Sequence, residues 1–292
     1  MDVFKTKVGI FMEIPISQEN YYKATGGLAP FVVELGVRAK PTCYAVCPEC
    51  DNPIQLIGLN RQQEDARPLH PYGRHVRHDV TGVAGYDEAA YLACPYSDPS
   101  YGRDAGRRPP SSPTGMALYR LMRDRFDRVE YAWRLSSGIW LDGKALGHAL
   151  TVWRNDEEWL NYGSTYSNLP QMLFLGHAAQ SLYRQCVLRD GRVASLLSGV
   201  RGIRLEPVTF SDRYARVTTT RYLDVTFTVG VPKPRVIDEH LTWTFLLGVN
   251  VGPRQLDRVE IHTDPEWFGN ILSIDTWHDN RRLLDIAARI LS

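Results

Sequence analysis

The clearest hydrophobic pattern lies in the last third of the chain, where apolar and polar residues alternate. Between Val217 and Val229 most odd-numbered residues are apolar, and the even-numbered residues are threonine, tyrosine or aspartate. A two-residue period of this kind, with β-branched and aromatic side chains, predicts one long strand over residues 214–230. Residues 240–251 and 258–262 predict two further strands, so this region is expected to form an antiparallel sheet.

A three- and four-residue period in the middle of the chain predicts a long amphipathic helix. Leu118, Met122, Val129 and Trp133 follow this spacing, and Thr114 is placed to cap the first turn. Acidic and basic residues on the other face have the i,i+4 spacing that favours ion pairs. Comparable patterns predict helices over residues 144–160, 171–186 and 279–291.

The first third of the chain predicts short strands and one short helix. Three strands are predicted over residues 8–16, 31–38 and 54–59, which are rich in apolar and β-branched side chains. Residues 60–85 are polar and contain several prolines and glycines, so they are predicted to form a loop. A brief helix is predicted over residues 86–93.

A segment rich in serine, proline, glycine and arginine separates these two patterns. It runs from residue 98 to residue 115 and has the composition of a linker. The sequence therefore predicts a small β-rich module over residues 1–100, stabilised by zinc as argued below, a linker over 101–114 and a larger domain over 115–292. Helices followed by an antiparallel sheet place the fold in the α+β class.

The composition is that of a globular protein. Of the 292 residues, 43% are hydrophobic and 23% are charged, which is enough apolar material for a sizeable core. No segment approaches the roughly 18 consecutive apolar residues of a membrane-spanning helix. The first residues lack a basic region followed by an apolar one, so no secretory signal is indicated, and a cytoplasmic protein without a membrane partner is expected.

Positive charge is concentrated in one part of a chain whose net charge is only +1. Residues 103–134 contain eight arginines and four acidic residues. Arginine forms bidentate contacts with phosphate, so this segment is the candidate for a nucleic-acid contact. The candidate residues are Arg103, Arg107, Arg108, Arg120 and Arg123. The i,i+4 acidic partners favour the alternative, a solvated helix face whose charges are internally paired.

Four of the five cysteines lie in the first 94 residues, and Cys47 and Cys50 form a Cys-x-x-Cys pair. Such a pair directs two sulfur atoms to one point and supplies half of a tetrahedral zinc site. The predicted ligands are Cys47, Cys50, His75 and Cys94, with His78 and Cys43 as substitutes.

Four protein ligands would fill the coordination shell, so the zinc is predicted to be structural. In ligand spacing, over about 50 residues, the pattern resembles a zinc-ribbon or treble-clef knuckle. Two alternatives stay open at this point, namely unliganded buried thiols and a redox dithiol.

Two other groups of residues point to metal-dependent hydrolysis. Residues 75–79 resemble the His-rich segment of HNH-type nucleases, although the asparagine and second histidine of that pattern are missing. Glu260, His262, Asp264 and His278 are candidates for a second metal site or for acid–base work. The alternative for Asp264 is that it caps a helix.

The sequence alone thus predicts a zinc-stabilised cytoplasmic binding or adaptor protein, with a protein or nucleic-acid partner. The alternative is a metal-dependent hydrolase of the nuclease type. No phosphate-binding glycine loop, dinucleotide-binding fingerprint or nucleophile elbow occurs in the chain, which argues against the common nucleotide-binding and α/β-hydrolase classes.

Overall fold

The computed structural model describes residues 1–34, 41–60, 70–97 and 106–292, and in these residues helices and antiparallel sheets give an α+β fold. The predicted class is confirmed. In the first third the elements are β1 (Val3–Phe4), β2 (Ile14–Pro15), α1 (Gln18–Thr25), β3 (Val32–Val33), β4 (Thr42–Val46), β5 (Pro53–Ile57), β6 (Tyr72–His75) and α2 (Glu88–Leu92).

The rest of the chain begins with helices and ends with two larger sheets and two further helices. Its first elements are α3 (Pro113–Asp124), α4 (Phe126–Ser137), β7 (Ile139–Trp140), α5 (Gly143–Asn155), a 3-10 turn (Glu158–Leu160) and α6 (Leu169–Met172). These are followed by β8 (Gln180–Ser181), β9 (Cys186–Leu188), α7 (Arg192–Ser198), β10 (Ile203–Val208), β11 (Ser211–Thr219), β12 (Val225–Val229), β13 (Lys233–Ile237), β14 (His240–Val251), β15 (Arg254–Thr263), α8 (Pro265–Ser273) and α9 (Arg281–Ile290).

Within the described ranges, the strands form four sheets with antiparallel pairing. β1 pairs with β2, and the order of the first-third sheet is β3-β4-β5-β6. The order of the third sheet is β10-β11-β9-β7, and that of the fourth is β13-β14-β12-β8, with β15 also paired to β14. The four preferred zinc-ligand candidates of the sequence lie on or beside the β3-β4-β5-β6 sheet.

The predicted central helix is in fact two helices. α3 begins at Pro113 with Ser112 as its cap, so the prediction of Thr114 as the cap is wrong. Arg125, with φ −133° and ψ 27°, leaves the helical region and separates α3 from α4. Met122 and Phe126 on either side of this break are fully buried, so the apolar period continues through it and hides it from the sequence.

Two other predictions from periodicity are wrong in a similar way. The predicted strand over 214–230 is divided between β11 and β12, which belong to different sheets. The predicted helix over 171–186 ends at Met172, and Gly176 then adopts a left-handed backbone with φ 76°. The buried apolar run after α6 fills the core without helical geometry.

The largest hydrophobic cluster lies between helices α3, α4, α5 and α9 and the sheets of the second half. Trp133 of α4 is fully buried at its centre. Its ring centroid lies 4.3 Å from that of Phe174, 5.8 Å from that of Phe227 and 6.4 Å from that of Phe245. Contacts between residues this distant in sequence tie the helices to the β14 sheet.

A second hydrophobic cluster lies under the β3-β4-β5-β6 sheet, and a buried polar group connects it to the rest of the molecule. Lys5 Nζ lies 2.6 Å from Asp51 Oδ1, and both side chains are buried. Asp51 Oδ2 accepts hydrogen bonds from the Thr114 hydroxyl at 2.5 Å and the Tyr166 hydroxyl at 3.1 Å. The division of the chain near residues 101–114 stays a prediction, and residues 98–105 lie outside the described ranges.

No helix in the described ranges combines the length and the apolar character required to cross a bilayer.

Candidate metal centre

Cys47, Cys50, His75 and Cys94 meet at one point in the structure. One ligand atom from each side chain lies within 4.8 Å of all the others. The three cysteines are buried and the histidine is half-buried. The structure therefore brings together the four residues that the sequence proposed as ligands, from three segments separated by 25 and 19 residues.

The Cys47–Cys50 turn is the connection between β4 and β5. The Cys47 amide donates to the Asn52 carbonyl at 2.8 Å, and the Asp51 amide donates to the Cys47 carbonyl at 3.2 Å. Asp51 adopts a left-handed backbone with φ 62°, a conformation that aspartate and asparagine tolerate better than most residues. This tight turn places the sulfur atoms of Cys47 and Cys50 on the same side.

Strand pairing brings the histidine to the turn. β6 pairs with β5 in a register that sets His75 opposite Ile54, only four residues after Cys50. The distance from His75 Nε2 to Cys50 Sγ is 3.3 Å. β6 lies inside the segment predicted to be a loop, so that prediction is wrong for residues 72–75.

Helix α2 delivers the last cysteine. Asp87 caps α2 by accepting a hydrogen bond from the Ala90 amide at 3.0 Å, and the Cys94 amide donates to the Tyr91 carbonyl just beyond the helix. Cys94 Sγ then lies 3.8 Å from Cys47 Sγ. The predicted short helix is confirmed, with a start two residues later than residue 86.

Asn52 joins these elements around the site. Its side-chain nitrogen lies 3.4 Å from Cys50 Sγ and donates to the Asp87 carbonyl at 3.0 Å. Its side-chain oxygen accepts from the Asp87 amide at 2.7 Å. Groups that hold metal ligands in place in this way also tune the metal. Asn52 was not among the site residues predicted from the sequence, although its position two residues after Cys50 indicated that it would lie beside the metal ligands.

Two of the distances between ligand atoms match those expected around a tetrahedral zinc ion. With Zn–S bonds of about 2.3 Å, tetrahedral geometry puts two sulfur ligands about 3.8 Å apart. The Cys47–Cys94 sulfur distance is 3.8 Å. A sulfur and an imidazole nitrogen on the same ion lie about 3.5 Å apart, close to the 3.3 Å between Cys50 and His75. Three sulfur atoms and one nitrogen are a common structural zinc set.

The electrostatics of the site favour one thiolate. Burial raises the pKa of the Cys50 thiol, but hydrogen bonds from Cys47, Cys94 and Asn52 outweigh this and hold that pKa well below its usual range. Burial raises the pKa of Cys94, and its hydrogen bonds with Cys47 and Cys50 raise it further. The ionised sulfur of Cys50 is the form that zinc binds.

Neither substitute ligand belongs to this group of atoms. His78 is exposed to solvent. Cys43 is buried on β4, where its sulfur lies 3.6 Å from Asn60 Nδ2 and where burial raises the pKa of its thiol. The group of four ligand atoms that the structure forms contains neither residue.

The four C-terminal candidates for a second metal or acid–base site do not form a group of ligand atoms close enough to share an ion, and their acid–base role stays a prediction. Among the described residues, Cys47, Cys50, His75 and Cys94 make up the one group of three or more ligand atoms close enough to share an ion. His262 lies 3.9 Å from Glu260, and both side chains are exposed. Asp264 caps α8 by accepting from the Glu266 amide at 2.9 Å, and His278 is exposed elsewhere.

The predicted phosphate-contact arginines that the structure describes make contacts within the protein. Arg108 is buried, and its guanidinium donates to the backbone carbonyls of Asn161 and Ser164, which does not favour a phosphate contact there. Arg107 pairs with Glu157 at 3.0 Å. Two further arginines make local contacts: Arg123 pairs with Asp124 at 2.7 Å, and exposed Arg120 donates to Met116 of its own helix. Arg103 lies outside the described residues.

The chain was compared with protein-family models, with curated proteins and with solved structures, and none of the three comparisons gave a match.

Proposed function

We propose that this chain is a zinc-stabilised binding protein in which Cys47, Cys50, His75 and Cys94 hold one structural zinc ion. The convergence of four ligand atoms within 4.8 Å is the observation that carries the proposal. Unliganded buried thiols do not account for the presence of an imidazole among the three sulfur atoms. A redox dithiol needs two cysteines, and it leaves the contributions of His75 and Cys94 unexplained.

The ligand set supports a structural role for the ion. Catalytic zinc sites keep one coordination position open for water or substrate, whereas structural sites have four protein ligands. With three cysteines and one histidine, no position is left for a reacting molecule. The zinc would instead hold the β4–β5 turn, β6 and α2 together, where a small hydrophobic cluster supplies the remaining stability.

This arrangement disfavours the hydrolase alternative. The HNH-like reading assigns residues 75–79 to water activation, but the imidazole of His75 faces the cysteines, and His78 and Asp79 are exposed. The C-terminal acidic and histidine residues are not gathered. A binding role, carried by surfaces and cavities away from the zinc, fits these observations better.

The proposal places the protein in a reducing compartment such as the cytoplasm. All five cysteines are free thiols, although Cys47 and Cys94 lie close together. Zinc-thiolate sites persist where disulfides do not. Nucleic acid is a weaker candidate for the partner than the sequence suggested, because Arg107 and Arg123 pair with carboxylates and Arg108 is buried.

Metal analysis of the purified protein tests the proposal. We expect about one zinc per chain, and we expect Cys94→Ser to lose it, since three remaining ligands bind zinc far more weakly. Cys43→Ser is the matched control, because Cys43 is also a buried cysteine of the same sheet but lies outside the cluster. It should keep its zinc.

Two results would contradict the proposal. One is wild-type protein that is folded without bound metal after expression with added zinc. The other is a Cys94→Ser variant that retains zinc at the wild-type stoichiometry.

A further inference from the structure

A cavity of about 520 Å³ lies between the N-terminal segment and α8 and contains none of the four metal ligands. The lining residues that bear on its chemistry are Asp2, Phe11, Glu13, Tyr96, His240 and Glu266. Small-molecule sites usually measure about 300–1,000 Å³ and often lie where two parts of a fold meet. The cavity has the size and the position of such a site.

Two carboxylate oxygens on residues of this cavity are buried and unsatisfied. Oδ1 of Asp2 and Oε1 of Glu13 have no hydrogen-bond partner in the described part of the chain. A buried oxygen that has lost water without gaining a donor destabilises the fold, and the cost is larger for a charged group. Both residues line the cavity, and a positively charged ligand there would compensate the charge of carboxyl groups that the protein leaves without donors at Oδ1 of Asp2 and Oε1 of Glu13.

Negative charge around Glu13 is not balanced by the nearby cation. Burial raises the pKa of Glu13 well above its usual range, and the carboxylates of Glu49, Asp264 and Asp2 raise it further. Lys5 acts in the opposite direction, but its ammonium group is committed to Asp51 at 2.6 Å. The interior beside the cavity therefore holds more carboxylates than Lys5 can neutralise.

His240 on the cavity wall is also committed to other groups. Its Nδ1 lies 2.8 Å from Oδ2 of Asp2, and its Nε2 lies 3.1 Å from Oδ2 of Asp264. A protonated His240 would offset these two aspartates. Glu13 and Glu266 also line the cavity, so its wall holds more carboxyl groups than His240 can offset.

The apolar part of the wall is aromatic and fixed in position. The ring of Phe11 packs against Tyr166 and Phe268, with centroids 5.8 and 5.7 Å away. Phe11 and Tyr96 both line the cavity. Aromatic faces attract organic cations and also accept an apolar stem.

The carboxylates of the cavity suit an organic cation better than a metal ion. In the ranges that the structure covers, the acids of the cavity do not form a group of three close ligand atoms. A bare divalent ion needs such a group, whereas an ammonium or guanidinium group presents several separated donors.

We propose that this cavity binds an organic cation, namely a primary ammonium or guanidinium group on an apolar stem. The charged group lies between Asp2 and Glu13, and the stem lies against Phe11 and Tyr96. The inference rests on the proposed binding role but does not depend on the zinc ion.

Calorimetric titration of the full, zinc-loaded chain with n-hexylammonium tests this inference. At low ionic strength we expect a Kd of about 0.1–1 mM for a probe of this size. Hexanol and hexanoate have the same stem with a neutral or a negative head group. Each should bind at least about tenfold more weakly, because hexanol lacks the positive charge that the carboxylates attract and hexanoate is repelled by them.

Glu13→Gln gives the second arm of the test. It keeps the size of the side chain and removes its charge, so hexylammonium should bind about tenfold more weakly. Glu19→Gln is the matched control, because Glu19 is an exposed acid on α1 that does not line the cavity. Its Kd should equal that of the wild type. Circular dichroism of each variant verifies that it is folded.

Three outcomes would overturn the inference: no heat of binding up to about 10 mM hexylammonium, equal binding of hexanol, or an unchanged Kd in Glu13→Gln. Zinc content is measured on the same sample. A sample with one zinc per chain and no hexylammonium binding overturns the cation site alone, whereas a folded sample without zinc overturns the proposed metal centre.

Discussion

At the scale of single residues, the first third of the chain contains several charged side chains that are buried. Lys5 and Glu49 are fully enclosed, and Asp51 is nearly so. Lys5 donates to the Ile10 and Pro48 carbonyls and pairs with Asp51, so its charge is well satisfied. Burial raises the pKa of Glu49 to about 7. The sequence could not reveal these roles, because nothing in the residues around a lysine or an acidic residue shows that its side chain is buried.

Glu13→Gln should make the protein more stable at neutral and alkaline pH. The folded-state pKa of Glu13 is raised, so the stabilisation from its bound proton is complete below the usual value of about 4.3 and is lost as pH rises through the raised value. Glutamine stays neutral throughout. Its free energy of unfolding should therefore exceed that of the wild type by about 1–3 kcal/mol at about pH 8 and by much less near pH 5.

Urea denaturation at several pH values measures this difference directly. Glu19→Gln serves as the exposed control and should show no pH-dependent difference from the wild type. A Glu13→Gln variant that is less stable than the wild type at about pH 8, or whose difference does not change with pH, would contradict the account.

At the scale of secondary-structure elements, the sequence predicted best where one period runs through one element. The predicted strands over 240–251 and 258–262 and the helix over 279–291 correspond to β14, β15 and α9. Errors arose where the period continues across a break. Arg125 interrupts the central helix, and residues 220–224 separate β11 from β12, without a proline or glycine to mark either position.

The metal centre depends on one such element that the sequence concealed. β6 lies in a polar, proline- and glycine-rich segment, and only its pairing with β5 makes it a strand. The strand Tyr72–His75 contains a glycine and no β-branched residue, so it gains its conformation from tertiary contacts. The sequence could propose His75 as a ligand from chemistry, but it could not show how the histidine reaches the turn.

Asn52→Ala should weaken zinc binding although Asn52 is not a ligand. The substitution removes the donor near Cys50 Sγ and both hydrogen bonds to Asp87, which fix α2 and therefore Cys94. Loss of such a supporting group typically lowers metal affinity by about 10–100-fold. Competition with a chromophoric zinc chelator measures the affinity.

Asn155→Ala is the matched control for that competition, because Asn155 is an exposed asparagine at the end of α5. Its zinc affinity should equal that of the wild type. Equal zinc affinities for Asn52→Ala and Asn155→Ala would show that the Cys47–Cys50 turn and α2 are not coupled through Asn52.

At the scale of the whole molecule, the proposed zinc ion would hold the first-third sheet together, and the Lys5–Asp51 pair connects this sheet to the larger core through Thr114 and Tyr166. The gathering of the four ligands could be predicted because few residue types bind zinc and a Cys-x-x-Cys turn supplies two of them. The roles of Arg108 and of the C-terminal acids could not, because whether a charged side chain is buried, paired or gathered depends on contacts between distant segments.

X-ray absorption spectroscopy at the zinc edge reports the ligands of the metal ion itself. We expect three sulfur atoms at about 2.3 Å and one nitrogen at about 2.0–2.1 Å around a four-coordinate ion, and two sulfur atoms in Cys94→Ser if any zinc remains. A shell with oxygen or water ligands, or with fewer than three sulfur atoms in the wild type, would contradict a closed structural site at Cys47, Cys50, His75 and Cys94.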